Sequence, residues 1–108
     1  MRWWERLRGR SGAGRTAATD GGAGSARAHL IAFAQSRRGV EAYVEPATNT
    51  HAPTVVFVAN DGEWTRRVVP SREAAFEFAR SINVPVYDVH QTGYPKRMRE
   101  WSSRQRRG

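Results

Sequence analysis

The chain has 108 residues, of which 39% are hydrophobic and 10% aromatic, and it carries a formal net charge of +8 at pH 7. This composition is typical of one small domain with extensions, and because cysteine is absent, disulfides, thiolate metal ligands and a cysteine nucleophile are excluded. The longest apolar run, Val55 to Ala59, is far shorter than the roughly 20 residues needed to span a bilayer, and arginines interrupt the start, where a signal peptide would be apolar.

Residues 1–24 are predicted to be an extension rather than part of the domain. They open with two adjacent tryptophans among four arginines, namely Trp3, Trp4, Arg2, Arg6, Arg8 and Arg10. The stretch that follows, up to Ser25, consists mostly of Gly, Ala, Ser and Thr without an apolar period, which is typical of a flexible linker. We predict that this linker is disordered.

Residues 25–94 are predicted to form the folded domain. Ser25 is a good N-cap for a first helix, whose apolar residues recur at helical spacing and which Gly39 ends. The stretch VEAYVEP, residues 40–46, alternates apolar and polar residues as a half-buried strand does, and Pro46 ends it. We therefore expect a helix followed by a strand.

The stretch TVVFVANDGEWTRRVV, residues 54–69, predicts a β-hairpin. Asp-Gly is favoured in two-residue hairpin turns, so a turn at Asp61 and Gly62 would place Ala59 opposite Trp64. Both faces of this hairpin mix apolar and polar residues, and the pattern leaves open which face belongs to the core. We favour the face that carries Val56, Val58 and Val69 as the one directed toward the helices.

A second helix and a fourth strand complete the predicted domain. Pro70 and Ser71 open the helix, which ends at Asn83 and buries a stripe of Ala75, Phe78, Ala79 and Ile82. The stretch VPVYDV, residues 84–89, is a short strand expected to return to the hairpin by a right-handed crossover. The order α-β-β-β-α-β predicts an α+β fold, a two-layer sandwich in which a mixed four-stranded sheet carries both helices on one face.

Residues 95–108 are predicted to form a short helix that starts at Pro95, followed by a frayed basic tail. This segment holds six basic residues against Glu100 alone, whereas residues 25–94 hold seven arginines against seven acids. Residues 1–24 hold five arginines against two acids. The excess positive charge therefore lies entirely at the two ends of the chain.

Basic and aromatic residues occur together at both ends and indicate contact with an anionic partner. Tryptophan presents a flat apolar face and arginine pairs with phosphate bidentately, a mixture that suits nucleic acid or an anionic lipid surface. The predicted contact residues are Arg2, Trp3, Trp4, Arg6, Arg8, Arg10, Arg72, Lys96, Arg97, Arg99, Trp101, Arg104, Arg106 and Arg107. An alternative stays open for Tyr94, Met98 and Trp101, which would instead pack on the open face of the sheet and cover Phe57 or Trp64.

The stretch YDVHQTGYP is the best candidate for catalytic chemistry. Asp88 and His90 lie two apart on the predicted last strand and would point the same way, so that the carboxylate could orient the imidazole. No nucleophile accompanies them, which makes both residues weak catalytic candidates. No cofactor motif is present, and we predict no cofactor and no metal site.

The stretches GVEAYVEP, DGEWTRR, VPVYDV and GYPKRMREW resemble a family of short, basic actinobacterial proteins of unknown function, in which these segments recur behind a variable N-terminus. The resemblance covers residues 25–101 and implies no activity, cofactor or site. Separately, the order α-β-β-β-α is similar to that of double-stranded RNA-binding domains, which begin their second helix with a lysine-rich phosphate clamp. Here Ser71, Arg72 and Glu73 stand at that place, so that only Arg72 would correspond to such a contact.

These observations favour a small non-enzymatic domain that binds RNA or a ribonucleoprotein through its basic aromatic termini. One alternative is a membrane-surface adaptor that uses Trp3 and Trp4, and another is a small enzyme or enzyme subunit with a site at Asp88 and His90. We expect a cytoplasmic protein, either free or peripheral to a membrane, with no transmembrane segment.

Overall fold

Short apolar stretches pair into a four-stranded sheet, and helices pack on both of its faces. The computed structural model describes residues 23–107. The strands are β1 Glu41–Glu45, β2 Thr54–Val58, β3 Trp64–Val68 and β4 Val86–Asp88. The helices are α1 Ala23–Ser36, α2 Arg72–Ser81, α3 Val89–Thr92 and α4 Lys96–Arg107. The sheet order is β3-β2-β1-β4, with β1 and β4 parallel and the other two pairs antiparallel.

This architecture confirms the predicted α+β fold with a mixed four-stranded sheet and with α1 and α2 on one face. The predicted start of α2 is also confirmed, because the hydroxyl of Ser71 accepts the backbone N–H of Ala74 at 3.0 Å and thereby caps the helix. The apolar stripe of α2 packs into the core, where the ring of Phe78 stacks on that of Phe57 with centroids 6.3 Å apart.

The predicted choice of sheet face is wrong for two of its three residues. Val55 and Phe57 pack against α1 and α2, whereas Val56 and Val58 belong to a second cluster on the opposite face. Val69 faces the helices as predicted. The stretch TVVFV could not decide between the faces because β2 is a central strand, and residues Val55 to Val58 are fully buried on both of its sides.

The hairpin is confirmed, but its predicted register is wrong by one residue. Val58, rather than Ala59, lies opposite Trp64. The loop has three residues instead of two, because the N–H of Gly62 bonds to the carbonyl of Ala59 at 2.9 Å and the N–H of Ala59 bonds to the carbonyl of Glu63 at 2.8 Å. Gly62 takes a positive φ of 98°, as the third residue of such a bulged turn requires.

The start of α1 and the extent of the last strand also differ from the sequence prediction. Helix α1 begins at Ala23, inside the predicted linker, and Ser25 lies within the helix rather than at its cap. The last strand, β4, is shorter than expected. It lies at the edge of the sheet, parallel to β1, where Val86 pairs with Ala42. The remainder of the predicted disordered linker, residues 9–22, lies outside the described residues.

Helix α4 covers part of the sheet face opposite to α1 and α2. Met98 is buried there with Tyr43, Val56 and Val58, and the indole Nε1–H of Trp64 donates to the hydroxyl of Ser102 at 2.8 Å. The alternative that the C-terminal residues pack on the open sheet face is thus confirmed for Met98, and they cover Trp64 but not Phe57, which lies on the other face. The helix continues to Arg107 where a frayed tail was expected.

Candidate nucleic-acid interface

Helix α4 has two faces of opposite chemistry. At 100° per residue, Met98 and Ser102 point toward the sheet, while positions 96, 99, 100, 103, 104, 106 and 107 point outward. Every charged residue of that outward set is exposed. We call its five cations the α4 basic face: Lys96, Arg99, Arg104, Arg106 and Arg107.

The cations of the α4 basic face keep most of their charge uncompensated. Arg104 donates to the carbonyl of Asp61 at 3.2 Å and Arg99 to the carbonyl of Tyr94 at 3.4 Å, and neither contact involves a carboxylate. Lys96 lies 3.8 Å from its neighbour Glu100, and both side chains are largely exposed. Arg106 and Arg107 form no ion pair with any carboxylate of residues 23–107. A surface pair such as that of Lys96 adds little, so the face stays strongly positive.

Three arginines elsewhere in the domain are paired with acids, in contrast to the α4 basic face. The pairs are Arg37 with Glu63 at 2.7 Å, Arg66 with Glu45 at 2.8 Å and Arg72 with Asp88 at 2.9 Å. Each of them joins two different elements or loops, which the sequence pattern could not show. Part of the positive charge of residues 25–94 is therefore neutralised by carboxylates of the same domain.

Arg97 belongs to α4 but not to its basic face. Its Nη2 donates to the Glu41 carboxylate at 2.8 Å, and its Nε donates to the carbonyl of Ala59 at 2.9 Å. Burial raises the pKa of Glu41, but hydrogen bonds from Arg97 and Tyr43 outweigh that effect and hold the pKa below its usual value. Arg97 therefore anchors α4 on β1 and on the end of β2.

The remaining predicted contact residues have different surroundings. Arg72 donates through Nε and Nη2 to one oxygen of Asp88, at 3.0 and 2.9 Å, and its guanidinium lies 4.7 Å from the ring centre of Phe76. Trp101 is partly buried, and its Cβ lies close to Gly62 in the hairpin turn. The predicted N-terminal contacts Arg2, Trp3, Trp4, Arg6, Arg8 and Arg10 lie outside the described residues.

The prediction that Asp88 and His90 share a strand and point the same way is wrong. Strand β4 ends at Asp88, and His90 lies in α3. Asp88 caps that helix by accepting the backbone N–H of His90 at 2.8 Å, while its other oxygen binds Arg72. Arg72 first, and then the His90 N–H, hold the pKa of Asp88 below its usual value. The carboxylate is thus occupied by a helix start and a guanidinium rather than by an imidazole.

Glu45 is the centre of a polar cluster that sequence reasoning missed. Its carboxylate accepts two bonds from Arg66, at 2.8 and 2.9 Å, and one each from the hydroxyls of Thr54 and Tyr94. Burial raises the pKa of Glu45, but these four hydrogen bonds together lower it below its usual value. Only the β1–β2 register, which places Glu45 opposite Thr54, could have revealed this cluster.

The described part of the chain has two grooves beside α1, and the histidines are distributed unevenly about them. Two shallow, open grooves of about 440 Å³ each flank α1. His29 lines one of them, and neither His51 nor His90 lines either. Residues 23–107 contain no group of three or more His, Asp or Glu side chains placed to hold a metal ion, and none of their helices is long and apolar enough to cross a membrane.

No family model, no curated protein and no solved structure matches this chain. The resemblance to short actinobacterial proteins is therefore untested and stays a prediction.

Proposed function

We propose that this protein binds RNA through contacts between phosphate groups and the α4 basic face. The observation that carries the proposal is the separation of charge on the folded chain. Residues 23–95 hold seven arginines and seven acids, which balance one another, whereas five cations of α4 project outward beside Glu100 alone. A polyanion would find its counter-charge on this one helix.

The dimensions of α4 suit a chain of phosphates. A helix of 12 residues is about 18 Å long, so that Lys96 and Arg107 lie at opposite ends of the α4 basic face. Arginine supplies four of the five cations, and its planar guanidinium can bind two phosphate oxygens at once. Arg104, Arg106 and Arg107 lie in the last turn of α4, where the helix dipole favours positive charge.

The chemistry of α4 favours RNA over a membrane surface. A helix that binds in the plane of a membrane inserts an apolar face between the headgroups. In α4 Met98 is buried against the sheet and Trp101 is partly buried, and the outward positions 96, 99, 100, 103, 104, 106 and 107 carry only charged or hydroxyl side chains. The outward face of α4 therefore offers charge to a partner but no apolar side chain for insertion.

The N-terminal residues belong to the proposal as a prediction. Trp3, Trp4 and the arginines beside them supply the same combination of cations and flat rings. A second binding segment joined by a linker raises the overall affinity by effective concentration, without any change on the domain itself. We infer that this segment assists the α4 basic face rather than replacing it.

Two double variants with the same change in net charge test the proposal. Arg106→Gln with Arg107→Gln removes two cations of the α4 basic face. Arg38→Gln with Arg80→Gln removes two exposed cations that lie outside α4. Affinity for a labelled RNA is measured over a series of salt concentrations. The α4 variant should lower the slope of log affinity against log salt by about 1 for each phosphate that is no longer neutralised, and the control variant should leave it unchanged.

Equal weakening of binding in the two double variants would contradict the proposal, because it would show that only total charge matters. Absence of RNA binding by the parent chain at low salt would contradict it as well. Anionic phospholipid vesicles serve as a second ligand in the same titration. Binding to vesicles without binding to RNA would favour the membrane-surface alternative.

A further inference from the structure

Helix α4 leaves one part of its sheet face uncovered, and apolar side chains are exposed there. Within residues 24–107, three large hydrophobic residues are exposed, namely Val68 at 61%, Tyr87 at 36% and Tyr94 at 37%. Tyr87 lies opposite Tyr43, which belongs to the α4 side of the sheet. Val68 lies opposite Thr54, and Thr54 lies opposite Glu45, which holds the Tyr94 hydroxyl. We call Tyr87 and Tyr94 the tyrosine patch.

Contacts within the domain restrain both rings of the tyrosine patch. The ring of Tyr87 lies 5.5 Å from that of Tyr43, at an angle of 32° between the planes. Tyr43 is itself buried, and its hydroxyl donates to Glu41 at 2.9 Å. Tyr94 donates its hydroxyl to Glu45, a carboxylate that Arg66 also holds. Rings fixed in this way lose little conformational freedom when a ligand stacks on them.

Cations of the α4 basic face lie beside Tyr94, one member of the tyrosine patch. Lys96 and Arg99 occupy the first turn of α4, immediately after Tyr94 in the chain. The Nη1 of Arg99 lies 3.4 Å from the carbonyl of Tyr94. The surface therefore combines fixed aromatic rings with largely uncompensated positive charge, which is the pattern of sites that bind single-stranded nucleic acid.

We propose that the tyrosine patch stacks unpaired bases, so that the preferred ligand is single-stranded rather than duplex RNA. This inference rests on the proposed function and names the form of its ligand. The bases of a duplex are stacked inside the helix, where Tyr87 and Tyr94 could not reach their faces. A clamp on duplex phosphates at the start of α2 would need the guanidinium of Arg72, which Asp88 already binds.

Substitutions at Tyr87 separate stacking from folding. Tyr87→Leu keeps an apolar side chain against Tyr43 but removes the aromatic face, and Tyr87→Phe keeps the ring. Each variant of the full chain is titrated with labelled oligouridine and with a blunt RNA duplex of equal phosphate number. Tyr87→Leu should weaken oligouridine binding about 5- to 150-fold and leave duplex binding within about twofold, whereas Tyr87→Phe should bind as the parent does.

The outcomes distinguish this inference from the proposed function. Unchanged oligouridine affinity in Tyr87→Leu, or equal weakening for both ligands, would overturn the stacking inference, while the proposed function would stand if the Arg106 and Arg107 variant still weakens binding. If the parent binds neither ligand, the proposed function itself fails.

Ultraviolet crosslinking of oligouridine to the unaltered chain gives a measurement that a folding defect in a variant cannot affect. Crosslinks should map to Tyr87 or Tyr94, and crosslinks confined to other residues would contradict the inference.

Discussion

Gly62 in the hairpin turn lies directly against the backbone of Arg97 in α4. A Cβ atom added at position 62 would come within 2.0 Å of the Arg97 carbonyl oxygen and 2.8 Å of the Trp101 Cβ. The residue also takes a φ of 98°, which L-amino acids with side chains rarely adopt. The turn therefore needs glycine for its own shape and for the close approach of the helix that carries the proposed interface.

Replacement of Gly62 by alanine should lower the free energy of unfolding by about 2–5 kcal/mol, since backbone strain and overpacking add. Because the clash lies beneath α4, the helix should shift away from the sheet and weaken the bond between Trp64 and Ser102. Chemical denaturation measures the first effect. The NMR shift of the Trp64 indole N–H measures the second.

Gly93→Ala is the matched control for Gly62→Ala. Gly93 also has a positive φ, of 72°, but an added Cβ there meets no atom within 4 Å. Its replacement should cost about 1–3 kcal/mol through backbone strain alone and should leave the Trp64 indole resonance in place. If both variants move that resonance equally, the close packing of Gly62 on α4 is not what positions the helix.

The Glu45 cluster predicts a decrease of stability in acid. The folded-state pKa values of Glu45, Glu41 and Asp88 all lie below their usual values. At pH values between the folded-state and the ordinary pKa, the unfolded chain therefore binds more protons than the folded one. Stability from these groups is fully present above their ordinary pKa values, 4.5 for Glu45, and is lost as the pH falls through and below them. Unfolding followed by circular dichroism over a pH series measures this decline.

Glu45→Gln isolates the contribution of one carboxylate to this decline. At pH 7 the variant should be less stable than the parent by about 1–2 kcal/mol, because charge-assisted hydrogen bonds to Arg66 are removed. The difference should begin to shrink as the pH falls below the ordinary pKa and should disappear below the lowered folded-state pKa, where Glu45 of the folded parent is itself neutral. Glu77→Gln, at an exposed α2 position without an ion pair to a described cation, should show no such convergence. A constant Glu45→Gln penalty at all pH values would contradict the assignment.

Arg72 and Arg106 should respond differently to the same removal of charge. Arg72→Gln removes a guanidinium already bound by Asp88, so RNA affinity should stay within about twofold of the parent. Arg106→Gln removes an uncompensated cation and should weaken binding by about 1 kcal/mol, which is about fivefold in Kd. Fluorescence anisotropy with one RNA at one salt concentration compares them. A larger effect for Arg72→Gln would shift the interface from α4 to the start of α2.

The helices and strands of this protein follow closely from local sequence pattern. The stripe of α2 from Ala75 to Ala79 and its Ser71 cap depend on residues within two turns of one another, so their spacing was sufficient. The hairpin around Asp61 and Gly62 was equally visible. Its register was not, because a turn of two residues and a bulged turn of three are both compatible with Asp-Gly.

The candidate interface required the tertiary structure. In the sequence, Arg97 and Arg99 are equivalent members of a basic run, yet one binds Glu41 and the other projects outward. That difference depends on where α4 crosses the sheet. The tyrosine patch is equally absent from the linear pattern, because Tyr87 and Tyr94 meet the face of β1 through a parallel pairing and a hydroxyl bond to Glu45.

The sequence by itself determined where the charge excess lies and which segments fold, because composition and short-range periodicity are properties of neighbouring residues. Only the tertiary structure decided which face of β2 meets which helix and which arginines are neutralised. Strand β2 is apolar on both sides, so burial alone could not orient it. Ion pairs such as that of Arg97 with Glu41 join residues 56 positions apart, and only the folded chain brings such groups within bonding distance.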